Sequence, residues 1–341
     1  MPEIDWPGLL KWSLKYNDGT GPGRRLTDED MAFLQGAIQE AMKQVVDSNQ
    51  LIEQSVPKLL SPDPKERLAA LGIIEKCMDQ PDAPRNLEKL GALRPLIELL
   101  GDDIEDVVLM SLQILSLALQ NNPQIQSAAS QHGALEALDR LVVGEALPPP
   151  SSAAAGAPKS PALTAPPAAA GPPTSPRQKF SQQVQLKALG ALSGLIRHNT
   201  AAELLFVNRG GVAVLRSALT SEWWKVRQKA ATLLRHLLHE KRVPERQIDW
   251  RLVEVVAWMM AQRDVDSEGI EYGEVTGEMV RELLSRHKPQ IVRTGKLINL
   301  QQAIDCRLAA VKTAQSRAPA VEREYFEEEL KMLKELLALA S

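Results

Sequence analysis

Aromatic residues are scarce in this sequence of 341 residues, where phenylalanine, tyrosine and tryptophan together make up 4%. Hydrophobic residues of all kinds nevertheless reach 44%, so the chain can bury a sizeable core. A core with so few rings favours helices that pack through small and aliphatic side chains. The only two cysteines, Cys77 and Cys306, are far apart in apolar helical contexts. We therefore predict two reduced core residues and no disulfide framework.

Neither positive nor negative charge is in large excess, because the formal net charge at pH 7 is −3. Nucleic-acid binding usually requires a basic stripe, so we expect no nucleic-acid partner. The N-terminus lacks the basic start of a signal peptide, and no apolar run near it is long enough to span a membrane. We expect no membrane contact and a cytoplasmic protein, with the nucleus left open as a second location.

Residues with the spacing of a catalytic or metal site are also missing. None of the five histidines lies in a motif that pairs a base with a nucleophile. His236 and His239 could share a metal, but two histidines without a third ligand are a weak signal. Asp264–Glu274 resembles a calcium loop, yet its twelfth position is Val275 where a bidentate glutamate is needed. We predict an ordinary acidic loop there, no cofactor, and a protein that is not an enzyme.

The chain does contain an internal repeat. Val107–Asn122, Val184–Asn199 and Val226–Lys241 align without a gap, and Glu66–Pro81 is a fainter copy. Their shared apolar columns step by three and four residues, as on one stripe of an α-helix. The members of the three clear copies are Leu112, Leu115 and Leu119; Leu189, Leu192 and Ile196; and Ala231, Leu234 and Leu238.

The period of the repeat determines the predicted fold. Copies start 41 residues apart at Glu66 and Val107 and 42 apart at Val184 and Val226, while the middle gap is 77. A Pro/Ala-rich insert accounts for the excess. Helical units of about 40–47 residues are typical of armadillo and HEAT proteins. We predict an all-α, right-handed superhelical solenoid of this type with a flexible N-terminal segment.

This period also predicts how the chain is divided. The predicted parts are a flexible N-terminal segment (1–25), N-terminal capping helices (26–61), armadillo-like repeats (62–145), a disordered Pro/Ala-rich insert (146–179), further repeats (180–262) and C-terminal helices that cap the solenoid (263–341).

Several motifs in this order resemble a known family. LLKWS, which comprises Leu9, Leu10, Lys11, Trp12 and Ser13, precedes the helix-forming run Asp28–Gln50, and NNP…HGAL follows at Asn121–Leu135. This order is similar to the Fes-type nucleotide exchange factors of the seventy-kilodalton heat-shock (DnaK-type) chaperones. The insert is a departure from the family pattern.

The resemblance implies a cochaperone that binds the ATPase domain of a cytosolic DnaK-type chaperone and promotes ADP release. The inner face of the solenoid would grip one lobe of that domain. The N-terminal segment Leu9–Ser13 would help to displace bound substrate. We expect a monomer.

In armadillo proteins the last helix of each unit lines the inner surface, and here that is the repeated helix. Its polar face turns basic toward the later copies, which suggests an acidic partner. Arg235 is the first candidate because arginine is enriched at interface hot spots. Trp223 and Trp224 form a second kind of candidate, in which one ring is expected to pack between units and the other to be an exposed anchor. The predicted partner-binding residues are Gln113, Gln120, Lys187, Arg197, Lys229, Arg235, His236, His239 and Trp224.

One alternative function stays open from the sequence. An armadillo adaptor would bind an extended peptide along the same groove, through a ladder of inner-face asparagine and tryptophan residues. Asn122 and Asn199 end their helices, but Lys241 takes the third position and no tryptophan accompanies them. The ladder is therefore incomplete.

Overall fold

The computed structural model of the chain describes residues 27–44, 47–144, 180–261, 267–319 and 323–341, with the backbone alone for 38–44 and 267–270. The predicted N-terminal segment 1–25 and the predicted insert 146–179 lie outside these residues. The chain divides into two compact units, Met1–Gln50 and Leu51–Ser341. Every regular element in the described residues is helical, so the prediction of an all-α fold is confirmed.

Sixteen α-helices occur in the described residues, with three short 3₁₀ turns between them. They are α1 (Asp28–Gln44), α2 (Ser48–Leu59), α3 (Pro64–Cys77), α4 (Ala83–Asn86), α5 (Leu93–Glu98), α6 (Glu105–Leu119), α7 (Pro123–Gln131), α8 (Ala134–Val143), α9 (Gln182–Ile196), α10 (Thr200–Asn208), α11 (Gly211–Leu219), α12 (Trp224–His239), α13 (Trp250–Met260), α14 (Ser267–Arg293), α15 (Leu297–Arg317) and α16 (Glu327–Ala340).

Helix α1 belongs to the first unit and begins with a reciprocal cap. The Asp30 backbone N–H donates to Thr27 Oγ1 at 3.2 Å, and the Thr27 backbone N–H donates to Asp30 Oδ2 at 3.1 Å. Such a box satisfies backbone donors that a helix start leaves without partners. Three acidic residues in the first turn also complement the helix dipole.

The repeated helix appears in the second unit as α3, α6, α9 and α12, which we call the repeat helices. All nine apolar side chains of the three clear copies are 0% exposed, as are Leu71 and Ile74 of the fainter copy. Because each repeat helix packs against the next, these stripes merge into one core. The predicted stripe is thus confirmed column by column.

Glycines set the turns between units. Gly91, Gly133 and Gly210 have φ values of 72°, 83° and 95°, and each stands just before a helix that leads to the next repeat helix. This left-handed conformation is inexpensive only for glycine. The recurrence of the glycine in the sequence therefore marks a recurring backbone turn.

The C-terminal helices differ from the prediction in two places. Helix α14 already begins at Ser267, so most of the predicted acidic loop Asp264–Glu274 is helical. Cys306 is exposed on α15, whereas Cys77 is buried as predicted, and neither forms a disulfide. Periodicity alone did not show which face of α15 the Cys306 side chain occupies.

One buried ion pair joins α15 to α16. Arg307 Nε donates to Glu329 Oε1 at 2.7 Å, and the two side chains are 2% and 0% exposed. Gly273 of α14 makes room for the pair, because a Cβ there would lie 2.2 Å from Glu329 Oε1. None of the helices in the described residues combines the length and apolar character needed to cross a membrane.

Candidate functional site

Three successive repeat helices form the walls of a groove of about 550 Å³. Its lining is almost entirely polar or small and comes from α6, α9, α12 and the turns that follow α6 and α9. The lining residues are Gln113, Ser116, Gln120, Asn121, Leu186, Lys187, Gly190, Ser193, Gly194, Arg197, His198 and Lys229. Five of the nine predicted partner-binding residues are thus brought together.

Two glycines keep the floor of the groove open. A Cβ on Gly190 would lie 3.1 Å from Lys229 Nζ, and one on Gly194 would lie 3.6 Å from the Ser116 carbonyl oxygen. Glycine inside a helix costs about 1 kcal/mol relative to alanine. Here it lets the Lys229 side chain lie across α9.

The groove carries positive charge without a counter-charge. Lys187, Arg197 and Lys229 line it, and no aspartate or glutamate is among its lining residues. Lys187 Nζ donates to Gln113 Oε1, which is a neutral partner. The Arg197 and Lys229 side chains have no hydrogen-bond or ion-pair partner within the part of the chain that the structure describes.

The environment of Lys229 disfavours its charge. Burial lowers the pKa of the Lys229 ammonium, and the nearby Lys187 charge lowers it further. A partly desolvated ammonium next to a like charge is stabilised by any approaching anion. The groove is therefore arranged to receive negative charge.

Four of the nine predicted partner-binding residues do not line this groove, and internal carboxylates contact the side chains of three of them. Arg235 forms an ion pair with Glu278 of α14. His239 Nδ1 lies 3.2 Å from Glu282 Oε1 on the same helix. The sequence placed Arg235 and His239 on the polar face of the repeat helix and did not show these two glutamate partners; their part in partner binding stays a prediction.

His236 is directed into the protein. Its Nε2 lies 2.9 Å from Oε1 of Glu203, whose side chain is 3% exposed. The ring also meets that of His198 edge to face, with 6.1 Å between centroids. His236 therefore takes part in packing between two units.

The tryptophan pair does not offer an exposed anchor. Trp223 and Trp224 are both partly buried and pack against the core. Lys225 Nζ lies 5.3 Å from the centroid of the Trp224 ring. Packing against the core is thus seen for both rings, and a role of Trp224 in partner binding stays a prediction.

Sequence reasoning missed the contribution of Gly190, Gly194 and His198. The glycines interrupt an otherwise good helix-forming stretch, which is a signal that the backbone is approached closely. His198 has a φ of 60°, and Asn121, in the same column of the repeat, has a φ of 54°. Asparagine and histidine adopt this left-handed conformation more often than most residues, so this column was the available signal. The predicted N-terminal segment Leu9–Ser13 lies outside the described residues.

The described residues contain no group of three or more His, Cys, Asp or Glu side chains that could hold a metal ion. The groove has no carboxylate or thiol beside its lysines. What the arrangement offers is a binding surface for an anionic partner.

No protein-family model matches the chain. Two curated relatives carry the name Hsp70 nucleotide exchange factor FES1. The one from Eremothecium gossypii is 25% identical over 234 residues, which cover 65% of this chain and 67% of the relative. The one from Mycosarcoma maydis is 24% identical over 247 residues, which cover 67% of this chain. In that second relative the match spans about half of the length, 54%.

Solved structures with the same fold are armadillo repeat proteins. One designed armadillo repeat protein superposes with a TM-score of 0.53 at 18% identity, covering 83% of this chain and 99% of its own. Another, in complex with the peptide (KR)4, gives a TM-score of 0.55 at 17% identity, covering 84% and 99%. At this identity the likeness establishes the fold alone: an all-α, armadillo-like solenoid.

Proposed function

We infer the function from the premise that the chain belongs to the Fes1-type family of Hsp70 nucleotide exchange factors. We propose that it binds the ATPase domain of a cytosolic DnaK-type chaperone and promotes release of ADP. It would act by binding, as a monomer, without chemistry of its own. The observation that carries the proposal is the groove with three cations and no carboxylate.

An acidic surface of the chaperone would supply the missing counter-charge. Lys187, Arg197 and Lys229 lie along one groove, so a single acidic patch can meet all three. Charge pairs that are desolvated on binding are worth about 1.5–7 kcal/mol in measured interfaces. Complementary charge also steers the encounter, so association should slow as salt is added.

Binding alone does not accelerate exchange. A partner shifts a conformational equilibrium only by its differential affinity for the two states. The groove must therefore fit the opened, ADP-releasing form of the ATPase domain better than the closed form. Linkage makes the effect reciprocal, so ADP weakens the grip of this chain as much as the chain weakens ADP binding.

The N-terminal segment has a separate proposed role. Leu9–Ser13 carries the LLKWS motif of the family resemblance. We propose that it helps to displace substrate from the chaperone. Deletion of residues 1–25 should leave ADP release unchanged and slow the release of a bound model peptide.

The alternative of a peptide-binding adaptor would need Asn122 and Asn199 for a ladder along the groove. Asn122 and Asn199 are N-caps, and their side chains accept the backbone N–H groups of Ile125 and Ala202. Their side-chain oxygens are therefore engaged at the helix starts, and neither residue is among those that line the groove. A designed armadillo neighbour is in complex with the polycationic peptide (KR)4, whereas the groove of this chain is itself cationic.

The test is stopped-flow release of a fluorescent ADP analogue from a cytosolic DnaK-type chaperone. The wild-type chain should accelerate release in proportion to its concentration. Lys187→Glu/Lys229→Glu should weaken the effect about 100-fold, since two attractions become repulsions. Lys331→Glu/Lys334→Glu makes the same change in net charge at exposed positions of α16 and should behave as wild type. A folded wild-type chain that leaves the release rate unchanged would refute the proposal.

A further inference from the structure

Two buried polar side chains occupy the same position in consecutive units. Gln126 on α7 and Glu203 on α10 are 1% and 2% exposed. Each stands four residues after the asparagine that caps its helix, Asn122 or Asn199. Buried polar groups are costly unless they are hydrogen-bonded, so both need partners. Both find them at the end of the next repeat helix.

Gln126 reaches the C-terminal end of α9. Its Nε2 donates to the carbonyl oxygens of Gly194 at 2.7 Å and Arg197 at 3.3 Å, and also to that of Leu119 at 3.1 Å. Its Oε1 accepts from Asn199 Nδ2 at 3.1 Å. The last carbonyls of a helix have no partner within the helix. Gln126 supplies one, and it binds the backbone of Arg197 itself.

Glu203 reaches the end of α12 in the same way, but through charge. Its two oxygens contact His236 Nε2 at 2.9 Å and Arg242 Nε at 2.7 Å. His236 and Gly194 occupy the same column of the repeat. The two contacts are thus equivalent in place and different in kind, neutral for Gln126 and ionic for Glu203. Only the contact of Gln126 reaches residues that line the groove, Gly194 and Arg197.

We propose that Gln126 is a positioning residue of the groove, which orients the unpaired Arg197 toward the partner by holding the end of α9. This inference rests on the proposed function, because the partner is the acidic surface of the chaperone ATPase domain. Arg197 is the C-cap of α9, and the next residue, His198, has the left-handed φ of 60°. The Gln126 amide fixes the backbone that leads into this turn.

Gln126→Glu is the sharpest variant because it is nearly isosteric. It replaces the Nε2 donor by an oxygen that would face three carbonyl oxygens, and an unsatisfied or repelled buried group is costly. Glu203→Gln is the mirror-image control at the equivalent position. It disturbs the C-terminal end of α12 at residues 236–242, none of which lines the groove.

A double-mutant cycle tests whether Gln126 acts through Arg197. The Kd for the isolated chaperone ATPase domain is measured for wild type, Gln126→Glu, Arg197→Ala and the double variant, with the folded fraction of each determined by denaturant titration. Gln126→Glu should raise the Kd about tenfold when Arg197 is present and less than about twofold in the Arg197→Ala background. Glu203→Gln should change Kd less than about twofold.

Equal factors in both backgrounds would overturn the inference, since Gln126 would then act on the fold in general. No change in Kd with Gln126→Glu would overturn it as well. Hydrogen exchange provides a readout without the chaperone. Gln126→Glu should speed amide exchange at residues 194–199, and Glu203→Gln at residues 236–242. If the wild-type chain does not bind the ATPase domain but the variants show this exchange pattern, the proposed function is refuted and the contact of Gln126 with α9 stands. If the variants leave amide exchange unchanged, that contact itself is refuted.

Discussion

Two sets of basic side chains on the same repeat helices end in opposite electrostatic situations. Lys187, Arg197 and Lys229 line the groove, and no carboxylate lies among its lining residues. Arg235 and His239, farther along α12, each contact a glutamate of α14. The helical period places all of them on one polar face. The neighbouring helix then decides which charges remain for a partner.

The cause lies in what each helix faces. Where Lys229 crosses α9 it meets Gly190, which has no side chain and no charge. Where α12 faces α14 it meets Glu278 and Glu282 one turn apart. The basic side chains of α12 therefore have carboxylate partners where α12 faces α14, and Lys229 has none where it crosses α9. A cation without an internal partner can pair with an anionic group of another molecule.

The largest expected effect is on the free energy of unfolding, when a buried ion pair loses one partner at a place that water does not reach. Arg307→Ala leaves the fully buried Glu329 carboxylate without its partner. We expect the free energy of unfolding to fall by about 3–5 kcal/mol, the usual cost of breaking a buried pair. Urea titration followed by circular dichroism measures it.

Arg281→Ala is the matched control. Its pair with Glu335 is 3.5 Å long, with both side chains more than 40% exposed. Exposed pairs contribute about 0–1 kcal/mol, so this variant should be close to wild type. A similar loss for both variants would show that the Arg307–Glu329 pair is not special.

The next prediction compares two basic residues of α12, Lys229 without an internal carboxylate partner and Arg235 with one. Lys229→Ala should weaken binding to the chaperone ATPase domain about tenfold, because it removes a groove cation. Arg235→Ala should weaken it less than about threefold, because Glu278 already neutralises the guanidinium. Isothermal titration calorimetry at two salt concentrations measures both. A larger loss for Arg235→Ala than for Lys229→Ala would instead favour the prediction from the sequence, which placed Arg235 first.

Much of the fold could be predicted from the sequence, because several copies of the repeat show the same helix with the same apolar columns. The columns that contain Leu115, Leu192 and Leu234 predicted the buried stripe, and the opposite face predicted five groove residues. The pairing of Arg235 could not be predicted in this way. Its partner Glu278 lies on α14, outside the period, and the run before it was interpreted as a loop.

The side chains of Cys306 and Trp224 show the same limit. Helical periodicity assigns a residue to an element, but its neighbours along the solenoid decide whether it is covered. Cys306 lies on the exposed side of α15, and Trp224 packs against the core. Such contacts depend on how each helix is rotated against its neighbours, which the period of the repeat does not determine.

The smallest expected effect concerns an open charge of the opposite sign, on α8. Burial raises the pKa of the Asp139 carboxyl to about 6, Arg209 opposes this, and Glu136 adds to it. Asp139 Oδ1 is buried without a hydrogen-bond partner among the described residues, and Arg209 forms its ion pair with Glu136. Asp139 is thus the acidic counterpart of Lys229, a charge that its surroundings disfavour.

The sign of the pH effect follows from linkage. Between the ordinary pKa of 3.8 and the folded-state value of about 6, the folded chain binds more protons than the unfolded chain. This group therefore makes the protein less stable as pH rises through 6. Asp139→Asn imitates the protonated form and should raise the free energy of unfolding at pH 7.5 by about 1 kcal/mol, after allowance for solvent screening.

The advantage of Asp139→Asn over the wild type should shrink as pH falls from 7.5 to 5, because the wild-type carboxyl then takes up its own proton. Thermal unfolding across that range measures the difference in Tm. Asp305→Asn, which removes an exposed carboxylate of α15, controls for the change in net charge. A difference between Asp139→Asn and wild type that stays constant from pH 7.5 to 5 would mean that Asp139 ionises without penalty. The contrast between open and satisfied charges would then hold for the basic groove alone.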